Sequence, residues 1–458
     1  MTIAHRKMDT WGSRFGFIMA AVGSSVGLGN FWRFPFTAGE NGGGAFIIIY
    51  LVCVLLFGLP ILMAEYALGR KSGRSAIDGV EYLARKDGRS SAWVIVGWVG
   101  SLAAFGILSF YMVISAWILD FIPQALTGSF AGFTAEQSSE NFGATLSDKT
   151  SLVFWLALFI GVNTFILARG VKGGIERAAT LLMPIFFLLL IGLVIFALRN
   201  GDAEKTAAFL LAPDFSKVTF ETYLAAIGQA FFSIGVGSCL MITYGAYIAR
   251  ETNIPVSSAI VAGADTMVAL IAGFAIFPIV FAFGLDPAGG AGLFFVSLPI
   301  AFGQMPAIAG ASFFILALFA ALTSSISLME VGVSWLEDRG KLGRTRAAML
   351  VGLTLFACGI AYIFNGALID IMDFITGQLM LPLGGILVAV FSAWILGRET
   401  LRSEFENPRM MALWRFACRY VVPPAVTFIL VFGALQTAQG NGWITLPEFM
   451  HDLLPPPA

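Results

Sequence analysis

A membrane-like stretch near the start of the chain carries polar residues in its middle. Residues 20–44, AAVGSSVGLGNFWRFPFTAGENGGG, contain Asn30 and Arg33, and glycines interrupt the stretch at three positions. These glycines are Gly23, Gly27 and Gly29. A membrane helix broken in this way leaves backbone N–H and C=O groups without helical partners, and hydrocarbon offers no water to satisfy them. We therefore predict that a polar ligand binds at this break.

Oxygen-bearing side chains recur in later apolar stretches. Asp265 lies within 256–284, where a carboxylate should pair with a cation or face a wet cavity. The run LTSSIS at 322–327 offers hydroxyl groups, which either bond neighbouring helices or join free carbonyls in the hard oxygen shell that suits Na⁺, as it suits Ca²⁺ and Mg²⁺. Glu65 and Glu330 lie nearer the ends of their stretches, where structural capping is as well supported as a role in binding.

Arg33 has two interpretations. Its long side chain can extend to the outer membrane interface and keep its charge in water. Alternatively, it pairs with Asp373, which stands at a similar outward depth in a later stretch. The second interpretation predicts an ion pair that closes over the site.

The composition is that of an integral membrane protein. Hydrophobic residues make up 58% of 458 positions, charged residues only 12%, and the mean hydropathy is +0.85, whereas about 25% of a soluble domain is charged. A span needs about 20 apolar residues, so we predict an all-α fold with eleven transmembrane helices. Their ranges are 15–37, 43–68, 92–124, 151–168, 176–198, 222–248, 256–284, 309–336, 345–364, 371–397 and 413–435. The apolar stretch at 288–303 is too short to span the membrane. We therefore predict that it forms a re-entrant or capping hairpin on the surface.

Lysine and arginine residues collect on one side of the predicted spans. They occupy the N-terminal segment and the loops at 70–89, 169–177, 339–346 and 398–415. The positive-inside rule then places the N-terminus in the cytoplasm. Because the span count is odd, the C-terminal tail is expected outside.

Other composition signals exclude several classes of protein. The net charge of −1 is not the basic balance of a nucleic-acid-binding protein. His5 and His451 are the only histidines, so we expect no histidine-based catalytic or metal centre. The four cysteines lie within or beside predicted spans, and we expect them to be packing residues without a disulfide.

The sixth predicted span repeats the break of the first. Gly235 and Gly237 interrupt it at mid-depth, with Ser233 and Ser238 beside them. Paired glycine-interrupted spans in corresponding halves indicate an inverted-repeat transporter with its site at the membrane midplane, although small residues four apart also pack helices. We therefore predict one domain over 1–458. It comprises repeat one at about 11–198, repeat two at about 222–397, an extra span at 413–435 and an outer tail at 436–458.

Five motifs carry a resemblance to a known family. They are GSSVGLGNFWRFPF at 23–36, ENGGGAF at 40–46, GLPILMAEYALGR at 58–70, FFSIGVG at 231–237 and ALTSSISLME at 321–330. Together they resemble the neurotransmitter:sodium symporter family, and the short loops resemble its bacterial amino-acid transporters. The resemblance implies the leucine-transporter fold, no enzymatic activity, and a place in the bacterial inner (plasma) membrane.

The resemblance also implies two sodium sites. The first would use the carbonyls of Gly23, Val26 and Ala320 and the hydroxyls of Thr323 and Ser324. The second would use the Ser25 carbonyl, Asn30, Ser233, Asp265 and the carboxylate of the substrate. Since that carboxylate is shared, substrate and cation would each lack a partner without the other.

A substrate site is implied at the two breaks. The Tyr111 hydroxyl and the N–H groups near Gly27 would bind the substrate carboxylate, with Ser25 and Ser233 close by. The backbone from Gly235 through Val236 to Gly237, with Phe232, would bind the amino group and cover the side chain. Ile107, Ser324 and Leu328 would form the other walls. No charged residue is placed to meet a substrate side chain, so we expect a hydrophobic L-amino acid.

Three departures from the family pattern affect the expectations. Asp265 stands where many animal members have Asn, and Ala269 where chloride-dependent members have Ser, so we expect no chloride requirement. Met8 replaces the arginine that usually pairs across the cytoplasmic gate. Lys7 or Arg6 is the expected substitute.

The gates are also implied by the resemblance. The remaining cytoplasmic gate residues are present as Trp11, Tyr247 and Asp338, and Arg33 with Asp373 would form the outer gate. Gly174 and Pro184 keep a spacing that in the family lets the fifth span unwind and release the inner sodium, although a simple proline kink explains Pro184 equally well.

These expectations converge on sodium-coupled import of hydrophobic amino acids, with spans 1, 2, 6 and 7 rocking against the rest. Two alternatives stay open. One is a proton-coupled or sodium-independent carrier on the same fold, with Asp265 as the proton site. The other is a membrane amino-acid sensor, which we would expect to carry a soluble signalling region. An intramembrane enzyme is the weakest interpretation, because no nucleophile and base are placed together.

Overall fold

The computed structural model describes residues 10–287, 292–340 and 342–440, and the regular elements in these ranges are all helical. Residues 1–9 lie outside the described part, and with them Arg6, Lys7 and Met8 of the predicted gate. Residues 441–458 of the predicted outer tail lie outside it as well.

Seventeen helices, α1 to α17, make up the described part of the chain. In order they are Arg14–Ser25, Gly29–Glu40, Gly44–Ser72, Ala76–Lys86, Ser91–Leu126, Ala135–Ser147, Lys149–Ala168, Val171–Asn200, Ala203–Leu211, Phe220–Ile234, Leu240–Ala246, Ile254–Ala282, Leu293–Phe302, Ala307–Arg339, Arg344–Phe364, Ala367–Ile395 and Pro408–Gly433. Short 3₁₀ turns at Phe215–Lys217 and Arg402–Glu404 lie in loops.

Most of the predicted spans are present. Within the described ranges nine helices are long and apolar enough to cross a membrane, and α1 with α2, bent by 47°, makes a tenth when the pair is one span. The predicted sixth span is divided into α10 and α11, which are 15 and 7 residues long. Neither piece is long enough for a span on its own, so the count of eleven is not established by helix length.

The first break is narrower than predicted. Helix α1 ends at Ser25, Val26 is extended (φ −72°, ψ 100°), and α2 begins at Gly29. Of the three glycines only Gly27 lies between the helices. Gly23 instead packs within α1, where a Cβ would meet Met183 Sδ at 3.0 Å, and a Cβ on Gly29 would lie 3.1 Å from the nearest carbon of the Phe232 ring. These two glycines allow close packing, so the prediction that they interrupt the helix is wrong.

The second break follows the predicted glycines. Helix α10 ends at Gly235 (φ +74°), and Gly237 (φ +86°) follows two residues later. Positive φ favours glycine, and a Cβ at Gly237 would also stand 2.2 Å from the Leu381 carbonyl oxygen. Cys239 has a positive φ of 58° without being glycine. The chain resumes its helix at Leu240.

The predicted surface hairpin at 288–303 is instead a short buried helix over its described part. Leu293–Phe302 form α13, whose Phe294 and Phe295 side chains are buried. Phe294 packs against Phe313 with tilted rings at 4.9 Å, and Phe295 lies 5.3 Å from Phe121, measured between ring centroids. Aromatic contacts of this kind bury the segment within the protein. The short length of the stretch did not predict this burial.

The two breaks lie inside the bundle. Helix α1 packs against α8, α12 and α14, while α10 and α11 both pack against α3. The long helix α14 also packs along α5. This arrangement surrounds the freed backbone with protein, the condition under which non-helical backbone is tolerated at membrane depth.

Candidate functional site

A side chain within α2 caps the first break. Asn30 Oδ1 accepts a hydrogen bond from the Gly27 N–H at 2.9 Å, and the Tyr111 hydroxyl accepts one from the Leu28 N–H at 3.3 Å. Asn30 is fully buried and Tyr111 is nearly so. Two of the N–H groups that the break frees are therefore satisfied, and both acceptors are residues predicted for the site.

Glu65 of α3 caps the second break. Its side chain is fully buried, and its carboxylate accepts hydrogen bonds from the N–H of Gly237 at 2.6 Å and of Met241 at 3.1 Å. A buried carboxylate is costly unless it is hydrogen-bonded, and here it meets the N-terminal turn of α11, where negative charge is favourable. Sequence reasoning left Glu65 out of the site. The available signal was a carboxylate within the apolar motif GLPILMAEYALGR.

A small cavity of about 50 Å³ lies between the two breaks. It is lined by nine of the predicted substrate residues, namely Ser25, Gly27, Ile107, Tyr111, Phe232, Ser233, Gly235, Ser324 and Leu328. Val236 and Gly237 are not part of its wall. Ser24, Leu28, Gly29, Ser238, Leu240 and Leu381 line it and were not predicted. This volume has room for only a few water molecules, so an amino-acid side chain requires the walls to separate.

A larger cavity of about 540 Å³ lies toward Arg33. Leu28, Tyr111 and Phe232 line both cavities, so these side chains lie between them. We call this side of the bundle the Arg33 end, and the side that carries Trp11 the Trp11 end.

The predicted outer ion pair is not formed. Arg33 and Asp373 line the same cavity. Among the ion pairs of the described ranges, none joins an Arg33 nitrogen to an Asp373 carboxylate oxygen within 4.0 Å. The Arg33 guanidinium instead lies over the Phe232 ring, 4.4 Å from its centroid, in a cation–π contact. Both charged groups lie beside Gly377, so the pair can form only if this region closes further.

Three predicted oxygen ligands meet where α14 crosses α1, and two more lie in the same part of α14. Ser324 Oγ lies 3.3 Å from the Val26 carbonyl oxygen and 3.5 Å from that of Gly23. Thr323 Oγ1 lies 3.2 Å from the Ala320 carbonyl oxygen. Hydroxyl and carbonyl oxygens of this kind suit a hard cation. No carboxylate belongs to this set, which fits a monovalent ion better than a divalent one.

The second predicted ion site is a hydrogen-bonded network around Asp265. This fully buried carboxylate accepts from Asn30 Nδ2 at 2.9 Å and from Ser233 Oγ at 2.7 Å. Ser25 Oγ donates to the Ile234 carbonyl at 3.3 Å, on the same side of the break. Asn30 turns its oxygen to Gly27, so the atom predicted as a sodium ligand faces the break.

Aromatic side chains close the Trp11 end. The Trp11 backbone N–H donates to the Tyr247 carbonyl and its indole N–H to the Tyr244 carbonyl, both at 3.2 Å. The Tyr247 hydroxyl donates to Glu330 at 2.7 Å, and Glu330 pairs with Arg344 at 2.7 Å. The sequence did not place Arg344 in this gate.

Asp338 does not join this cluster as predicted. Its carboxylate accepts from the Ser75 N–H at 2.8 Å, which ties the end of α14 to the start of α4. An N–H at a helix start has no partner within its helix and is a strong partner for a carboxylate. Met8, at the position of the missing gate arginine, lies outside the described residues.

Two broken helices with oxygen atoms and a cavity between them are typical of a secondary transporter. The family model described as "Sodium:neurotransmitter symporter family" matches residues 8–145 and 134–451. The chain belongs to the sodium:neurotransmitter symporter family. It is therefore a multi-pass integral membrane transporter that uses sodium, and not an enzyme, as its motifs predicted.

Individual relatives agree with this membership. The sodium-dependent transporter YhdH of Bacillus subtilis is 36% identical over 448 residues, covering 94% of this chain and 98% of that protein. Sodium-dependent nutrient amino acid transporter 1 of Drosophila melanogaster is 26% identical, covering 92% of this chain and 77% of the relative. The crystal structure of MhsT in complex with L-phenylalanine has a TM-score of 0.85 and 40% identity, covering 92% of this chain and 99% of that one.

Because Glu65 caps the second break, we predict that replacing its side chain strongly affects stability and ligand binding. Glu65→Ala leaves two buried N–H groups unpaired, at a cost of roughly 1–3 kcal/mol for each. We expect a lower melting temperature in detergent and loss of sodium-dependent ligand binding, with Glu65→Gln intermediate because one acceptor remains. Glu140→Ala, at an exposed position on α6, is the control. An unchanged melting temperature for Glu65→Ala would contradict the capping role.

Proposed function

We propose that the protein is a sodium-coupled symporter that imports hydrophobic L-amino acids by alternating access across a bacterial plasma membrane. The observation that carries the proposal is the oxygen cluster of Ser324, Val26 and Gly23, beside a cavity that Ser324 lines together with apolar walls such as Ile107 and Leu328. The cluster suits a cation and the walls suit an apolar side chain. L-Phenylalanine in the MhsT crystal structure supports the same class of substrate.

The proposal includes an inverted-repeat topology with eleven spans. Counting α1 with α2 and α10 with α11 as one span each gives eleven, in two halves of five at about 11–198 and 222–397 with α17 added. The excess of lysine and arginine on one side supports a cytoplasmic N-terminus, with the Trp11 end inside and the C-terminus outside. The moving group would be the broken spans with α3 and α12.

Two separate oxygen groups support the proposal of two sodium sites. One lies between α1 and α14, and the other lies around Asp265 of α12. A substrate carboxylate near Ser25 and the Tyr111 hydroxyl would complete the second group. Without sodium, the negative charge of the substrate carboxylate has no cation to balance it. Without substrate, the sodium lacks one of its oxygen ligands. Binding of sodium and binding of substrate are therefore coupled.

The first ion site is tested by Thr323→Ala with Ser324→Ala. This double change removes both hydroxyl ligands and leaves only carbonyls, so we expect sodium-driven uptake in liposomes to be abolished. Ser325→Ala is a matched control, since Ser325 is buried in the same run but donates to Asn163 at 2.7 Å. Unchanged sodium dependence in the double variant would refute the site. Wild-type uptake that follows pH and ignores sodium would favour the proton-coupled alternative.

Chloride independence is tested by ion replacement. Asp265 supplies a buried negative charge, and Ala269, one turn along α12, offers no hydroxyl for an anion. We expect wild-type uptake to persist when gluconate replaces chloride, and Asp265→Asn to slow turnover. Chloride should restore part of the Asp265→Asn activity only when Ala269→Ser is also present. A strong dependence of the wild type on chloride would contradict the charge argument.

Substrate size is tested at Gly235. A Cβ there meets nothing within 4 Å, yet φ is +74°, so a side chain would enter open space at the cost of backbone strain. Burying a Leu- or Phe-sized group supplies roughly 1.5–3 kcal/mol, so competition binding should rank Leu, Met, Phe, Tyr or Trp above Gly, Glu and Lys. Gly235→Ser should weaken the binding of aromatic amino acids more than it weakens the binding of alanine or valine. Glycine as best ligand, or an unchanged size ranking in Gly235→Ser, would overturn this account.

A further inference from the structure

Three arginine side chains lie close together near the end of α16 and the start of α17. Arg419 Nε donates a hydrogen bond to the Ala393 carbonyl at 2.6 Å, and Arg415 Nη2 donates one to the Leu396 carbonyl at 3.2 Å. Arg398 follows shortly after Leu396, and the charges of Arg398 and Arg419 both repel that of Arg415. We call these three residues the arginine triad.

Two members of the triad cap a helix. The last carbonyl groups of a helix have no partner within it, and positive charge is favourable at that end. Arg415 and Arg419 bind carbonyl groups at the end of α16 in this way. Capping does not account for Arg398, which is exposed and has no hydrogen-bond or ion-pair partner within the described part of the chain.

The surroundings do not balance the charge of the triad. A helix end contributes about half a unit of negative charge, against three positive charges, and none of the ion pairs in the described ranges includes a member of the triad. Two carboxylates nearby have other partners. Asp87 binds the Gly397 N–H and the Thr400 hydroxyl and has two basic residues of its own segment beside it, while Glu399 pairs with Arg402 at 3.4 Å. An excess of positive charge therefore remains.

Exposed aromatic rings lie beside the triad. Trp394, Phe416 and Tyr420 are 49%, 55% and 55% exposed. The Tyr420 ring centroid lies 5.7 Å from that of Trp394 and 5.5 Å from that of Phe416, and the Arg419 guanidinium lies 5.3 Å from the centroid of the Trp394 ring. Exposed aromatic residues are typical of the depth where hydrocarbon meets the lipid headgroups. The triad therefore lies at headgroup depth.

The triad belongs to the Trp11 end of the bundle. In the loop that follows α16, Glu404 pairs at 2.6 Å with Arg70 at the end of α3, and Arg70 also binds the Thr252 carbonyl. Thr252 comes shortly after Tyr247, whose carbonyl accepts the Trp11 N–H. Since the proposed function has the Trp11 end inside, the triad faces the cytoplasmic leaflet.

Phosphate is the ligand that suits the unused donors of the triad. A guanidinium group carries five N–H donors, and within the described residues Arg415 and Arg419 each use one of them on a carbonyl. Guanidinium groups bind phosphate oxygens through paired, charge-assisted hydrogen bonds. Basic pockets between membrane helices on the cytoplasmic side accept phosphate-bearing headgroups, and at this depth phospholipid is the abundant source of phosphate.

We propose that the arginine triad binds the phosphate of an anionic phospholipid in the cytoplasmic leaflet, with the rings of Trp394, Phe416 and Tyr420 against its glycerol and first acyl carbons. Only the choice of leaflet rests on the proposed function. The bound phosphate offsets the repulsion among the three arginines and so stabilises the junction of α16 and α17.

Native mass spectrometry of the full-length protein, titrated with phosphatidylglycerol or with phosphatidylcholine, tests the site. The wild type should bind phosphatidylglycerol in preference, because the choline group of phosphatidylcholine cancels the phosphate charge. Arg398→Gln should weaken phosphatidylglycerol binding about fivefold, the loss expected for one basic residue at an anionic surface. The melting temperature without added lipid should not change in this variant, since Arg398 has no partner in the described ranges.

Arg177→Gln is the matched control. Arg177 is an exposed arginine on α8, which packs mainly against α12 and α14. It also lies at the Trp11 end, next to Glu176, whose carboxylate accepts the Gly12 N–H. Both substitutions remove one positive charge from the same side of the protein. Equal losses in Arg177→Gln and Arg398→Gln would mean a general attraction to a basic face and would overturn a specific site.

Two further variants separate lipid binding from helix capping and from binding of free phosphate. Arg415→Gln with Arg419→Gln should lower the melting temperature and remove the preference for phosphatidylglycerol. A lower melting temperature with the preference intact would leave these residues as helix caps only and overturn the triad.

Phe416→Ser keeps every charge and should weaken phosphatidylglycerol binding several-fold, because the acyl chains lose part of their wall. Millimolar inorganic phosphate should displace little of the lipid. Unchanged lipid binding in Phe416→Ser, or full displacement by inorganic phosphate, would assign the site to a soluble anion and refute the lipid.

Discussion

Backbone freed in the middle of a bilayer must find partners within the protein, and the rest of this structure depends on how that is done. Asn30 takes the N–H of Gly27, and Glu65 takes those of Gly237 and Met241. Both side chains accept hydrogen bonds from backbone N–H groups. Such a group left unpaired in hydrocarbon costs several kcal/mol. Carbonyl groups at the first break are thereby left facing α14, where they can serve a cation.

The oxygen cluster follows from this division of partners. Ser324 and Thr323 come from α14, a continuous helix, whereas the carbonyls of Val26 and Gly23 come from the end of α1. A continuous helix holds its hydroxyls at constant spacing, and the end of a helix can shift. An ion bound between them would therefore resist any movement of α1 away from α14, and its departure would allow that movement.

The sequence predicted the second break better than the first, for a physical reason. Gly235 and Gly237 are needed for positive φ, which marks a true break, whereas Gly23 and Gly29 are needed because Met183 and Phe232 approach them closely. In both cases the sequence shows only a glycine, and it does not show whether positive φ or close packing requires it. The partners of Glu65 lie more than 170 residues away, and the Arg33–Asp373 distance depends on how the helices at the Arg33 end pack. Motifs could locate most of the residues that line the small cavity, but not contacts set by tertiary packing.

The two cavities indicate which movements binding requires. Phe232 lines both cavities and Arg33 lies over its ring, so a movement of the ring changes this cation–π contact. The inner cavity, at about 50 Å³, must widen to admit an amino-acid side chain. Gly237 cannot yield, since Leu381 lies against it, but the backbone at Gly235 faces open space. Widening should therefore occur at Gly235 while Glu65 keeps Gly237 fixed, so that one end of the break adapts to the ligand and the other holds the helix that follows.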